Sequence, residues 1–69
     1  MDFQIRQAVQ ANVINDSAAS FSETISDAIE RGDEQLLPGL GVFLEAWWQS
    51  SNDQARAQFT DVLEQHYKQ

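Results

Sequence analysis

Apolar side chains recur at helical spacing in four stretches of the chain, separated by short polar runs. In the first, Ile5, Ala8, Val9, Asn12 and Val13 fall on one side, with Phe3 expected in the same core and Asp2 placed to cap the first turn. The spacing predicts a helix from about residue 3 to residue 14, closed by Asn15-Asp16-Ser17. In the second, Phe21, Ile25, Ala28 and Ile29 oppose Glu23, Asp27, Glu30 and Glu34, a clean division that puts this helix on a surface. Ser17 or Ser20 caps it, Ser20 with Glu23 matches a capping box, and Gly32 ends it.

The third stretch, Leu36 to Trp48, reads LLPGLGVFLEAWW and carries a single charge, Glu45. Pro38 disfavours helical geometry at Leu37, while its own fixed φ suits a first helical turn. On a wheel centred on Leu40, Phe43, Leu44 and Trp47 cluster and Trp48 lies at the margin. Glu45, Gln49, Val42 and Ala46 fall on the outer side. A helix apolar over so much of its circumference belongs in the middle of a bundle or at an interface. Gly39 and Gly41 lower helix propensity, which predicts close approach of another backbone. The fourth stretch opens with Ser50-Ser51-Asn52-Asp53, where Ser51 and Gln54 fit a capping box. It continues with Ala55, Phe59, Val62, Leu63 and His66 or Tyr67 on one stripe, to about Tyr67, with Lys68 suited to the C-terminal dipole. The expected fold is all-α: a compact bundle of three to four short helices around a central apolar helix, as one domain over 1–69.

Composition narrows the function. With 69 residues and no cysteine, the chain can build one modest core and has neither disulfides nor thiolate metal ligands to staple it. Eleven Asp and Glu against four Lys and Arg give a net charge of −7, and Arg6, Arg31, Arg56 and Lys68 are scattered. That balance disfavours direct nucleic-acid binding, which draws on clustered cations. The N-terminus lacks the basic and apolar regions of a secretory signal. The central apolar stretch falls well short of the roughly 20 residues of a membrane helix. An intracellular protein with no membrane contact is expected.

No residue set points to chemistry. The acidic stripe Glu23, Asp27, Glu30 and Glu34 lacks the spaced pattern of a calcium loop and reads as a solvated face. His66 is the one histidine, so a zinc site would need an unusual carboxylate-rich set. Nucleophile-elbow, phosphate-loop and dinucleotide motifs are missing from the sequence. No catalytic, cofactor-binding or metal residue, no cofactor and no small-molecule substrate is expected. The candidate site is an interaction surface: Leu40, Phe43, Leu44, Trp47 and Trp48, for a protein partner or a second copy. Adjacent residues on a helix stand about 100° apart, so Trp47 and Trp48 cannot enter one pocket. Core packing of both is expected, with self-association as the alternative.

Two resemblances bear on this reading. Ala28 to Asp33, followed by Leu37-Pro38-Gly39-Leu40-Gly41-Val42-Phe43, looks like the helix-to-strand passage of the histone-like bacterial DNA-bending proteins. On that alternative the chain would be a DNA-architectural protein and residues 36–43 a strand. The likeness stops at Leu44-Glu45-Ala46-Trp47-Trp48-Gln49, where those proteins continue into a basic arm.

The second covers nearly the whole chain. Met1-Asp2, Arg6-Gln7-Ala8-Val9, Ala11-Asn12-Val13, Thr24-Ile25, Asp27-Ala28-Ile29, Gly32, Leu37-Pro38-Gly39-Leu40-Gly41-Val42, Glu45 and Trp48 resemble the minor small acid-soluble spore proteins of type I, from spore-forming Bacillus-like bacteria. That resemblance implies synthesis in the developing forespore, residence in the spore core and no catalytic motif. The glycine-rich DNA-contacting blocks of the abundant α/β-type spore proteins, a different family, are missing here.

Overall fold

Four helices follow one another in the computed structural model, which describes the backbone of residues 2–68 and the side chains of residues 4–68. They are α1 (Asp2–Val13), α2 (Ala18–Arg31), α3 (Leu37–Ser50) and α4 (Asp53–Tyr67), with a 3₁₀ turn over Glu34–Leu36 between α2 and α3. No strand occurs among the described residues. The capping role of Asp2 and the core position of Phe3 lie outside the described side chains.

Local chemistry sets the boundaries. Ser17 caps α2, its Oγ accepting from the Ser20 N–H at 3.2 Å, so Ser20 lies inside the first turn instead of opening it. Gly32 ends α2 at φ 64°, the left-handed geometry that glycine adopts without strain, and its N–H donates to the Ile29 carbonyl. Asp33 Oδ1 accepts from the Gln35 N–H at 2.9 Å and starts the 3₁₀ turn. Pro38 then stands in the first turn of α3, where its missing N–H costs nothing. Residues 36–43 are therefore helical and not extended, which removes the strand that the likeness to DNA-bending proteins required. At the next junction Asn52 caps α4, accepting from the Ala55 N–H at 2.8 Å. Ser51 looks backward instead, its Oγ donating to the Trp47 carbonyl at 2.6 Å.

Each of the other helices touches α3. Against α1, Glu45 receives two hydrogen bonds from Arg6. Against α2, the Phe43 and Phe21 rings meet edge to face at 5.5 Å. Against α4, the Trp47 ring lies 5.0 Å from that of Phe59. The Glu45 side of α3, expected to face outward, thus turns toward α1, and Val42 is half-buried with it. The close backbone approach expected at Gly39 and Gly41 is not found: a Cβ at either would meet nothing within 4 Å. The assembly is open. Its radius of gyration is 13.3 Å, against about 11 Å for a close-packed chain of this length. No described residue is fully buried.

Candidate functional site

Because α3 is apolar nearly all round, its neighbours decide what each side chain does. Leu40 and Phe43 turn inward and are half-buried. With Val9, Val13 and Ala28 they line a cleft of about 330 Å³ among α1, α2 and α3. Leu44 and Trp48 turn the other way, onto an open groove of about 450 Å³ between α3 and α4. Gly41, Phe59, Thr60 and Leu63 complete its walls, with Glu45 and Gln49 at its rim. Trp47 lies beside it, its ring tilted at 46° to that of Phe59 and 6.4 Å from the Trp48 ring. The five residues predicted as one surface are therefore divided between two clefts, Leu40 and Phe43 lining one and Leu44 and Trp48 the other, with Trp47 against Phe59.

Core packing of both tryptophans does not hold. Each keeps 39% of its surface exposed, with Leu44 at 45% and Leu63 at 41%. The reason is the short turn between α3 and α4, which lays α4 against Trp47 through Phe59 while the groove beside Trp48 stays open. Val62 and Tyr67, placed by periodicity on the buried stripe, are 66% and 80% exposed. His66 is also exposed, its ring edge to face with that of Tyr67 at 4.8 Å.

Polar contacts hold the groove walls in place. Arg56 Nε donates to the Trp48 carbonyl at 2.9 Å, capping the end of α3, and its guanidinium sits 5.2 Å from the Trp48 ring centre. Its other side reaches Asp53 at 3.7 Å. On the far rim, Arg6 Nε and Nη2 donate to Glu45 Oε1 and Oε2, both at 2.8 Å, a two-pronged pair that fixes α1 against α3. The Arg6 hydrogen bonds hold the Glu45 carboxyl below its ordinary value of 4.5, outweighing a small opposing desolvation, with the nearby positive charge adding to the effect. Phe59, Leu63 and Arg56 were not among the predicted site residues. The signal was the i, i+4 pair Phe59 and Leu63, which periodicity assigned to an interior stripe.

The acidic stripe stays apart from this site. Glu23, Asp27, Glu30 and Glu34 are all exposed, and Asp27 pairs with Arg31 at 3.4 Å. Among the described residues no group of three or more His, Cys, Asp or Glu is placed to hold a metal ion. No helix among them is long and apolar enough to cross a membrane.

An apolar groove beside a locked turn does not by itself name what it binds, so comparison with known proteins carries the next step. The family model described as Small, acid-soluble spore protein I matches residues 3–67. The chain belongs to the small, acid-soluble spore protein I family. It is similar to the small, acid-soluble spore protein I of Geobacillus kaustophilus, 45% identical over the whole of both chains. The protein of that name from Bacillus cereus is 43% identical over 99% of each chain. That of Halalkalibacterium halodurans is 40% identical over 94% of this chain and 96% of its own. No solved structure matches significantly.

In this member of the small, acid-soluble spore protein I family, the residues that carried the resemblance have physical roles. Arg6 and Glu45 bond to each other, Gly32 makes the left-handed end of α2, Pro38 opens α3, and Trp48 walls the groove.

Proposed function

We propose that the chain is a non-enzymatic component of the spore core, made in the forespore during sporulation, and that it works as a structural or interaction protein. Binding takes place through the apolar face formed by α3 and α4. The observation that carries this reading is the groove itself: two aromatic walls, Trp48 and Phe59, with Leu44 and Leu63 beside them, held open to solvent by a polar-locked turn. Large aromatic and aliphatic side chains of this kind anchor protein interfaces once a partner excludes water from them. Family membership supports the spore setting.

Acid solubility, the property in the family's description, fits the composition. Below the isoelectric point of about 4.2 the eleven carboxylates take up protons while the four Lys and Arg stay charged. The chain becomes a cation and self-repulsion keeps it dissolved. At neutral pH the charge of −7 repels a phosphate backbone.

The experiment is mass spectrometry on acid extracts of dormant spores and of growing cells from the source organism. Detection in spores alone is the expected result. Equal abundance in growing cells would overturn the spore-core reading.

A further inference from the structure

What covers the groove follows from the reading of α3 and α4 as a binding face. The chain exposes 5922 Å². A folded monomer of 7.8 kDa exposes about 4,400 Å² by the size scaling of globular proteins. The excess is about 1,500 Å², and a stable interface takes about 800 Å² from each partner. One protomer therefore leaves open more than the surface a stable dimer needs.

Charge decides which face meets which. From Glu23 to Glu34 the chain carries five carboxylates and one arginine, four of its seven net negative charges. The Phe43 side of α3 meets α2, which bears most of these, and the groove lies on the opposite side of that helix. Glu45 is the one charged residue lining the groove, and Arg6 already neutralises it. Two copies approaching through α2 would repel one another. Two copies meeting across the groove bring its apolar walls together and keep the carboxylates of Glu23 to Glu34 apart. Among the other exposed aliphatic residues, Ile5 lies on α1 and Ile14 follows it, while Ile29 and Leu37 share a smaller cleft that Asp33 and Glu34 line as well, so that patch carries the charge the groove lacks. Gly41 has nothing of its own chain against it and faces the groove, leaving room there for an approaching helix.

We infer that a second copy of this chain covers the groove, the α3–α4 face of each protomer docking on that of the other about a two-fold axis. A two-fold interface uses the same patch twice, so one groove per chain suffices. Leu44, Trp48 and Leu63 form its centre.

Sedimentation equilibrium on the full chain, from about 1 µM to about 1 mM, tests this. The expected mass rises from 7.8 kDa toward twice that value. Leu44→Glu and Leu63→Glu each place a carboxylate on a side chain already partly exposed in the monomer. They should leave the helical circular dichroism unchanged and raise the dissociation constant about 100-fold or more. Because the chain has no cysteine, Thr60→Cys should oxidise to a covalent dimer, and Glu30→Cys on α2 should not. A wild-type chain that stays at 7.8 kDa throughout overturns the inference, as does a dimer that both glutamate variants leave intact. Presence in spores is measured separately, so a monomer would refute self-association without touching the spore reading.

Discussion

Replacing Phe43 by alanine tests whether the α1–α2–α3 cleft is the stabilising centre of the fold. Phe43 is half-buried there and meets Phe21 edge to face at 5.5 Å and 80°. Truncating a fully buried phenylalanine costs about 3–5 kcal/mol, and half-burial roughly halves this. Loss of the ring pair adds about 0.5–1.5 kcal/mol. The expected total is about 2–4 kcal/mol, a large share of the roughly 3–10 kcal/mol available to a chain of this length. Melting followed by far-ultraviolet circular dichroism at one fixed protein concentration should show Tm lowered by about 10–30 °C. Val62→Ala is the control, because Val62 is 66% exposed and its truncation should cost no more than about 0.5 kcal/mol. If both variants melt together, the Phe21–Phe43 contact does not hold α2 on α3 and the packing described is wrong.

The glycines should respond with opposite signs. Gly32→Ala forces a Cβ into the left-handed region and should destabilise by about 1–2 kcal/mol, whereas Gly39→Ala, with open space at its Cβ, should stabilise by about 0.5–1 kcal/mol; urea unfolding of both reads the difference. Asn52→Ala removes the α4 cap and should cost about 1 kcal/mol in the same assay. Arg56→Ala removes both the bond to the Trp48 carbonyl and the cation over its ring, and should lower stability by about 1–2 kcal/mol with a change in tryptophan emission. Glu45, held below its ordinary value by Arg6, binds a proton less readily folded than unfolded. Its contribution is therefore present near neutral pH and lost as pH falls through the folded value. The Tm advantage of wild type over Glu45→Gln should shrink across that acid range, and the same comparison made on an Arg6→Met background should show no such pH dependence.

The helices were legible because apolar spacing, the capping serines, Gly32 and Pro38 are local signals. What the sequence left undetermined was direction. A wheel has a meaning where one face is polar, as in α2, but α3 is apolar nearly all round, so nothing in its pattern says that Leu40 and Phe43 face α1 and α2 while Leu44 and Trp48 face a groove. Glu45 read as solvent-facing because its partner Arg6 lies 39 residues away, beyond any local pattern. Asn52 and Ser51 are equally good caps on paper, and the geometry of the turn chose between them. Gly39 and Gly41 read as sites of close backbone approach, yet a Cβ at either would meet nothing within 4 Å, because composition alone does not say which neighbour a glycine faces.

Both tryptophans of the chain belong to the α3–α4 face, so their emission reports on it without any label. The most direct measurement is acrylamide quenching of that emission as the protein concentration is raised, in wild type and in Leu63→Glu. A covered groove predicts that quenching of the wild type weakens severalfold as the copies associate, while Leu63→Glu stays as quenchable as the dilute chain. Quenching that is independent of concentration in wild type would mean that no second copy covers the groove.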